Sequence, residues 1–348
     1  MPSDVGAPLS PTPGLRARVL VAGPLHPEAV ARLRGASCDV VLAPKGVNDP
    51  AVTTPATFVA LVPLLTTRVD EALLARFPNL RLVANVSVGV DHVDLAACRA
   101  RGVVVTNTPD VLTDATADLT MALLLAAARR VGEAERLLRS AGFPPWSPGF
   151  MLGKRLRGKT LGIIGLGRIG RAVADRARAF GLSVIATPRF SSKALVGDSP
   201  HLPHLPHLPH IPHDAQVPHV PRVALDALLR QSDFVSVHVP LTAATRHLLG
   251  ARELSAMKPG AVLVNTSRGA VIDEHALVRA LTEGPLFAAG LDVYEAEPKV
   301  HPGLLSLENV VLLPHIGSAE AETRRDMACL AADNVVAFLS SNVALTPV

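Results

Sequence analysis

The sequence predicts an α/β fold with two domains, each built on a doubly wound parallel sheet. Three observations lead to this prediction. The chain has 348 residues, of which 49% are hydrophobic, so it can bury about two domain cores. Short apolar runs alternate with helical patterns, as is typical of parallel sheets with helical connections. This alternation occurs twice along the chain, so each half is expected to supply one sheet.

The first alternating unit starts with an apolar run at residues 19–22, followed by a helical pattern at 27–34. Further strands are expected at residues 39–42, 58–62, 81–85 and 103–106. A long helix rich in Ala and Leu, residues 114–130, then leads away from this unit.

The second unit contains a longer series of apolar runs, with strands expected at residues 160–164, 183–186, 234–238, 261–265, 287–291 and 310–313. The last helical pattern, residues 320–339, is long enough to pack across the first unit, so the first domain is predicted to be discontinuous. The predicted organisation is a disordered lead-in at 1–17, a first domain at 18–112 and 316–348, and a second domain at 113–315.

Residues 199–221 interrupt the second unit with a His- and Pro-rich tract in which prolines recur at every third residue. Proline has no backbone N–H, so the tract is predicted to be an exposed polyproline II loop. Three residues per turn would align its histidines and allow a metal site, but a low-complexity expansion of a surface loop is the better interpretation. We assign the tract no function and the chain no metal.

Composition disfavours several classes of function. The net charge is only +4, and the basic residues form no patch with interleaved aromatics, which argues against nucleic-acid binding. No apolar run approaches the roughly 20 residues that a membrane-spanning helix needs. Cys38, Cys98 and Cys329 are isolated in the sequence and suit reduced thiols. A cytoplasmic protein without membrane or nucleic-acid partners is expected.

A glycine-rich motif follows the first strand of the second unit. Residues 162–170 read Gly-Ile-Ile-Gly-Leu-Gly-Arg-Ile-Gly, so an apolar strand runs directly into Gly-x-Gly-x-x-Gly. In such motifs the first glycine permits a tight turn, the second lets the backbone approach a pyrophosphate, and the third lets the helix pack on the sheet. The helix N-terminus favours an anion. The alternative is a tight turn that binds nothing. The predicted dinucleotide site consists of Gly165, Leu166, Gly167, Arg168, Ile169 and Gly170.

Three ionisable side chains, Arg268, Glu297 and His315, each follow a different strand of the second sheet. The carboxyl ends of parallel strands share one edge, where ligands of open α/β sheets bind. An arginine can hold a substrate carboxylate through two parallel bonds. A carboxylate beside an imidazole favours the protonated ring, which can then donate a proton. Each residue alone is more often structural, but together they indicate hydride transfer to a carbonyl.

Five segments resemble the D-isomer-specific 2-hydroxyacid dehydrogenase family. They are the glycine motif and the sequences Ser-Val-Gly-Val-Asp-His-Val-Asp at 87–94, Asn-Thr-Ser-Arg-Gly at 265–269, Gly-Leu-Asp-Val-Tyr-Glu-Ala-Glu-Pro at 290–298 and Leu-Pro-His-Ile-Gly-Ser at 313–318. The resemblance covers nearly all of the chain from Val19 onward. It implies a flavodoxin-like substrate domain and a dinucleotide-binding Rossmann domain, with Arg268, Glu297 and His315 as the catalytic residues.

The resemblance also implies how the substrate and a second subunit are bound. Backbone N–H groups of Val88 and Gly89, with Ser87 nearby, would receive the substrate carboxylate. The family's glyoxylate/hydroxypyruvate reductases place a tryptophan near the partner's active site, and Trp146 resembles it. Homodimers made through the helices around residues 114–155 are implied. Further residues expected at the cofactor are Pro240, Thr266, Asp292 and Gly317.

The choice of cofactor is predicted from the residues after the strand at 183–186. An NAD-dependent enzyme places an acidic residue there for the ribose 2′-hydroxyl, whereas an NADP-dependent enzyme needs cations for the 2′-phosphate. The sequence continues Thr-Pro-Arg-Phe-Ser-Ser-Lys, without an acid. Arg189, Ser191 and Lys193 are therefore expected to bind NADPH, with NADH possible at lower affinity. An ordinary basic loop is the alternative.

We interpret the chain as an NADPH-dependent 2-oxoacid reductase of the glyoxylate/hydroxypyruvate type, with a small 2-oxo or 2-hydroxy acid as substrate and His315 as proton donor. The alternative from another class is a dinucleotide-sensing, corepressor-like binding protein on the same fold. The sequence has no nuclear-localising basic cluster, which disfavours that alternative.

Overall fold

The computed structural model describes residues 16–188 and 219–348. These residues form two compact units, each with its own parallel sheet. The first unit combines residues 16–111 with 320–348, and the second contains residues 112–188 and 219–319. The α/β class predicted from the sequence, with its two parallel sheets, is confirmed.

The first unit is built on a five-stranded sheet with the strands β1 (Arg18–Ala22), β2 (Asp39–Leu42), β3 (Phe58–Pro63), β4 (Leu82–Ala84) and β5 (Val104–Thr106). The helices of its N-terminal part are α1 (Pro27–Gly35), α2 (Glu71–Arg76) and α3 (Leu95–Ala100). All neighbouring strands are parallel, in the order β2-β1-β3-β4-β5. The carboxyl ends of these strands therefore lie along one edge.

The second unit contains a six-stranded sheet with β6 (Thr160–Ile164), β7 (Ser183–Ala186), β8 (Phe234–Val237), β9 (Ala261–Asn265), β10 (Leu286–Leu291) and β11 (Val310–Leu312). Its helices are α4 (Thr113–Ala128), α5 (Val131–Ala141), α6 (Arg168–Ala179), α7 (Leu225–Gln231), α8 (Ala251–Ser255), α9 (Glu274–Thr282) and α10 (Pro302–Leu305). The strand order is β11-β10-β9-β8-β6-β7, again entirely parallel.

Apolar side chains cover both faces of the second sheet. Leu123 of α4 and Val173 of α6 belong to one buried cluster, and Leu254 of α8 and Leu277 of α9 belong to another. Because helices pack on both faces, the central strands are continuous apolar runs: every residue of β8 and β9 is buried. This core holds the strand ends that carry the candidate catalytic side chains.

The last helix, α11 (Ala321–Ser341), belongs to the first unit, where it packs against α1. Arg32 of α1 and Asp333 of α11 form an ion pair at 2.7 Å. The fully buried Asn334 binds Thr346 through both its amide oxygen and its amide nitrogen. The helix predicted to pack back across the first unit therefore does so, and it also fixes the C-terminal segment.

The structure corrects three predicted boundaries. The helix expected at 114–130 ends at Ala128, because Arg130 adopts a left-handed φ of 56° and a separate helix, α5, follows. The strand expected at 81–85 stops before Asn85, whose side chain bonds to the next loop. The second unit extends to residue 319 instead of 315, because residues 316 and 317 donate backbone bonds to Asp292.

Residues 1–15 of the predicted lead-in, and residues 189–218 with most of the His/Pro tract, lie outside the described residues. The end of the tract is described and differs from the prediction of an exposed loop. Val220 is buried in the core, and the carbonyl of Pro221 accepts the N–H of Ala186 at the end of β7 at 2.9 Å. Within the described ranges, no helix combines the length and apolarity of a membrane span.

Candidate active site

The turn between β6 and α6 carries the glycine motif. Gly165 has a φ of +98°, a conformation that favours glycine, and a Cβ there would lie 2.6 Å from the carbonyl oxygen of His238. A Cβ on Gly170 would lie 2.3 Å from the carbonyl oxygen of Gly165. By contrast, a Cβ on Gly167, the N-cap of the 12-residue α6, would have no described atom within 4 Å. The fold itself requires the first and third glycines, and the open second position leaves room for an anion at the helix N-terminus.

This turn lies where the strand order of the second sheet reverses. Strand β6 pairs with β7 on one side and with β8 on the other, and ligands of open α/β sheets bind at such a point. Leu166 and Ile169 are partly buried against the core, and Arg168 is the first residue of α6. Thr187, at the end of β7, accepts the N–H of Gly165 at 3.2 Å. The turn therefore fits a dinucleotide.

Other residues assigned to the cofactor lie at neighbouring strand ends. Pro240 is exposed after β8, and the hydroxyl of Thr266, after β9, lies 2.8 Å from that of Thr120. Arg189, Ser191 and Lys193 lie outside the described residues. The sequence does not indicate a role for Arg222, which pairs beside Ala186 and donates to the carbonyl of Thr187 at 3.4 Å. The His/Pro tract separates it from β7 in the sequence, so only the fold reveals this proximity.

Arg268 is held by a tight loop after β9. The side chain of Asn265 donates to the carbonyl of Arg268 at 2.9 Å and accepts from the N–H of Ser267 at 3.0 Å. Gly269 then packs against the next loop so closely that a Cβ would lie 1.9 Å from the carbonyl carbon of Tyr294. The Arg268 and Glu297 loops are therefore fixed against each other through glycine.

Glu297 and His315 form a hydrogen-bonded pair. Nδ1 of His315 lies 2.8 Å from Oε2 of Glu297, and Oε1 of Glu297 accepts the N–H of Tyr294 at 3.0 Å. An ionised carboxylate only accepts hydrogen bonds, so the proton between the pair belongs to Nδ1. The two side chains are 31% and 28% exposed, which leaves Nε2 of His315 as the atom that can reach a ligand.

The pKa of Glu297 is lower than its ordinary value. Burial alone would raise it, but the hydrogen bonds from His315 and from the N–H of Tyr294 outweigh burial. The charge of Arg268 acts in the same direction, which places the three catalytic candidates in one electrostatic environment. Glu297 is therefore a carboxylate throughout the neutral range of pH.

Asp292 anchors the loop that carries His315. This side chain is only 1% exposed, and its two oxygens accept the N–H groups of Ile316 and Gly317 at 2.7 and 2.8 Å. Burial raises the pKa of Asp292, although both amide bonds act in the opposite direction. Asp292 and Gly317, assigned to the cofactor from the sequence, thus lie at the base of this loop. They hold His315 in its left-handed conformation, with a φ of +55°.

In the first unit, Ser87, Val88 and Gly89 form a loop directly after β4. Ser87 is buried and donates to the carbonyl of Gly89 at 2.7 Å, whereas Val88 and Gly89 are partly exposed. Their N–H groups donate to no acceptor within the described part of the chain. Trp146, the remaining candidate, belongs to the second unit and is 81% exposed after α5.

Within the described ranges 16–188 and 219–348, no group of three His, Cys, Asp or Glu side chains is placed to hold a metal ion. A dinucleotide turn, a guanidinium and a carboxylate–imidazole pair stand at the carboxyl edge of the second sheet. These features define an oxidoreductase that depends on a nicotinamide dinucleotide.

Comparison with known proteins identifies the family. The model for the NAD binding domain of D-isomer specific 2-hydroxyacid dehydrogenases matches residues 121–317. A glyoxylate reductase of Thermococcus litoralis is 46% identical over 288 residues, which are 82% of this chain and 81% of that protein. The corresponding enzyme of Aeropyrum pernix is 47% identical over 290 residues, with the same coverage. The chain belongs to the D-isomer-specific 2-hydroxyacid dehydrogenase family.

A solved structure extends the similarity to the whole fold. It is an NADPH-dependent glyoxylate/hydroxypyruvate reductase of Sinorhizobium meliloti, in complex with NADP and malonate. That protein is 38% identical, with a TM-score of 0.80 over 96% of this chain and 97% of its own. The chain is thus an NAD(P)-dependent reductase of 2-oxo acids, and the corepressor alternative has no support among these relatives.

Proposed function

We propose that this protein is an NADPH-dependent 2-oxoacid reductase that acts on glyoxylate, hydroxypyruvate or a closely related 2-oxo acid. The observation that carries the proposal is the Glu297–His315 pair, which lies within the electrostatic reach of Arg268 in the unit that holds the dinucleotide turn. The relatives support the substrate class, because several are named glyoxylate reductases.

The residues divide the reaction between them. The guanidinium of Arg268 and the N–H groups of Val88 and Gly89 bind the substrate carboxylate. NADPH, when bound, supplies the hydride that adds to C2. His315 gives the proton on Nε2 to the carbonyl oxygen, so the ketone becomes a secondary alcohol and the aldehyde of glyoxylate a primary one. Glu297 balances the charge of the imidazolium before the proton leaves.

The cofactor would lie along the carboxyl edge of the second sheet. Gly165, Gly167 and the N-terminus of α6 hold its pyrophosphate, and Pro240 and Thr266 border the rest. Arg189, Ser191 and Lys193 bind the 2′-phosphate, and Arg222 adds a further cation beside β7. The absence of an acid at residues 187–193 supports NADPH over NADH.

A substrate and cofactor panel tests the proposal. Oxidation of NADPH and NADH is followed with glyoxylate, hydroxypyruvate, pyruvate and a 2-oxo acid with an aromatic side chain. We expect turnover with the small acids and a higher kcat/KM for NADPH. Arg189→Asp should weaken NADPH by about 2 to 4 kcal/mol while affecting NADH far less, because it replaces a charge-assisted bond with repulsion. A wild type that prefers NADH would contradict the cofactor assignment.

We also propose a homodimer made through the segment after α4. Six of the ten large apolar side chains that are exposed in the described residues fall within 131–152, and Phe143 and Trp146 are 83% and 81% exposed. Such a concentration is typical of a protein interface. Light scattering should report a dimer for the wild type and for Leu305→Ser, an exposed control, and a monomer for the double variant Phe143→Ser/Trp146→Ser.

A further inference from the structure

The loop Ser87–Val88–Gly89 turns all three of its carbonyl groups into the protein. The carbonyl of Ser87 accepts the N–H of Thr108 at 3.0 Å, and that of Gly89 accepts the hydroxyl of Ser87 at 2.7 Å. The carbonyl of Val88 accepts Nδ2 of Asn107 at 2.9 Å. No carbonyl of this loop is therefore left to repel an anion.

A fully buried amide, Asn85, completes this arrangement. Its Nδ2 lies 2.7 Å from the hydroxyl of Ser87 and 3.0 Å from the carbonyl of Gly89. A carbonyl can only accept, so the amide nitrogen must face the loop and Oδ1 must face Nε2 of His92, 3.0 Å away. Asn85 is thus held in one orientation from both sides.

Asn107 is equally well fixed, but through its own backbone. Its N–H donates to the carbonyl of Thr346 at 3.2 Å, and its carbonyl accepts the hydroxyl of Thr346. Thr346 is in turn bound by the buried Asn334 of α11. The side chain of Asn107 therefore binds the carbonyl of Val88 from a backbone position that is itself fixed by hydrogen bonds.

The geometry of the peptide bond fixes the direction of the N–H groups that follow these carbonyls. In a planar trans peptide, the C=O of one residue and the N–H of the next point in opposite directions. Holding the carbonyls of Ser87 and Val88 inward consequently aims the N–H groups of Val88 and Gly89 outward. Neither of these two amides has a partner in the described residues.

We propose that Asn85 and Asn107 are positioning residues that build a carboxylate receptor from the amides of Val88 and Gly89. This inference deepens the proposed function and rests on it for the identity of the anion. Substitution of Asn107 gives the more specific test of this role, because its side chain binds only one carbonyl. That carbonyl belongs to the same peptide group as the N–H of Gly89.

The experiment compares Asn107→Ala with Thr106→Val. Thr106 lies one residue earlier, is fully buried, and its hydroxyl has no partner in the described structure, so valine removes a polar atom without breaking a bond. Each variant is assayed for KM of the 2-oxo acid, KM of NADPH and kcat. Binding of oxalate, a carboxylate without a reducible carbonyl, is measured by calorimetry in the presence of NADP+.

We expect Asn107→Ala to raise KM for the 2-oxo acid and Kd for oxalate by roughly three- to tenfold, the worth of one hydrogen bond, with KM for NADPH unchanged. Thr106→Val should match the wild type in all four values. If Asn107→Ala does not fold, Asn107→Leu has a similar shape with neither the amide donor nor a charge and should show the same selective loss.

The failure of the proposed function and the failure of the positioning role would give different results. A folded wild type that reduces no 2-oxo acid overturns the proposed function. Unchanged oxalate binding in Asn107→Ala, or an equal loss in Thr106→Val, overturns the positioning role whether or not turnover is seen. An equal rise in KM for NADPH and for the 2-oxo acid would also overturn it, because it indicates a general structural defect.

Discussion

The loop after β4 in the first unit and the loops after β9, β10 and β11 in the second achieve their chemistry in opposite ways. In the first, backbone amides face outward, and neutral side chains such as Asn85 and Asn107 support them from behind. In the second, the candidate groups are the ionisable side chains of Arg268, Glu297 and His315, and backbone amides support them, as the N–H of Tyr294 does for Glu297.

This difference predicts a division of labour. A receptor of peptide N–H groups keeps its charge distribution at every working pH, so it suits binding. A carboxylate–imidazole pair changes its charge with pH, so it suits proton transfer. Substitutions of the Glu297–His315 pair should therefore affect the rate and its pH dependence, whereas those in the first region should affect substrate affinity alone.

The largest expected effect is that of His315→Asn. Loss of the proton donor should lower kcat about 10²- to 10⁴-fold at every pH, with little change in the Kd of NADPH. His247→Asn is a matched control, because His247 also lies within hydrogen-bond distance of a glutamate, with its Nε2 3.0 Å from Glu295, but is not a candidate site residue. Steady-state kinetics of both variants test the assignment of His315 as proton donor. A His315→Asn enzyme with near-normal activity would contradict it.

Arg268→Lys should have the next largest effect. Lysine keeps the charge but cannot make the paired bonds of a guanidinium, so we expect kcat/KM to fall by about 10- to 100-fold. The exposed Arg279 of α9 offers the same exchange as a control. A near-normal kcat/KM in Arg268→Lys would show that the carboxylate is bound by the backbone receptor alone.

Glu297→Gln should move the pH profile more than the maximum rate. The lowered pKa of Glu297 means that the wild type keeps its carboxylate, which favours the imidazolium, down to acidic pH. Glutamine removes this charge, so the alkaline limb of kcat/KM should move to lower pH. Profiles of kcat/KM for both enzymes between pH 5 and 9 check the direction of this shift. An upward shift would separate Glu297 from His315.

The smallest effect concerns the thiols, all three of which belong to the first unit. Burial raises the pKa of Cys98 and of Cys329 to about 11, and it also raises that of Cys38. Few thiolates are then present near neutrality, so labelling with a thiol reagent at pH 8 should be slow in the native protein and complete after unfolding. Rapid labelling of the native protein would show that at least one of these thiols is accessible and ionised, which would contradict the raised pKa values.

This difference between side-chain and backbone groups explains which parts of the site could be predicted from the sequence. Arg268, Glu297 and His315 are recognisable because their types are distinctive and each follows an apolar strand. Asn85 and Asn107 belong to different strand ends and meet one loop only through the pairing of β4 with β5. Backbone amides have no residue type, so the sequence suggested the receptor only by family resemblance and gave no sign of its supports.

The inward carbonyls of the Ser87–Gly89 loop also affect how this protein can evolve. The groups that face outward at Val88 and Gly89 are present in every amino acid except proline, so exchanges at Val88 need not erase the receptor. The side chain at position 88 can therefore be exchanged in evolution, and each exchange would change the shape of the surface beside the bound carboxylate. The exchanges that would damage the receptor are instead those of Asn85 and Asn107, whose side chains bind the loop carbonyls from the protein side.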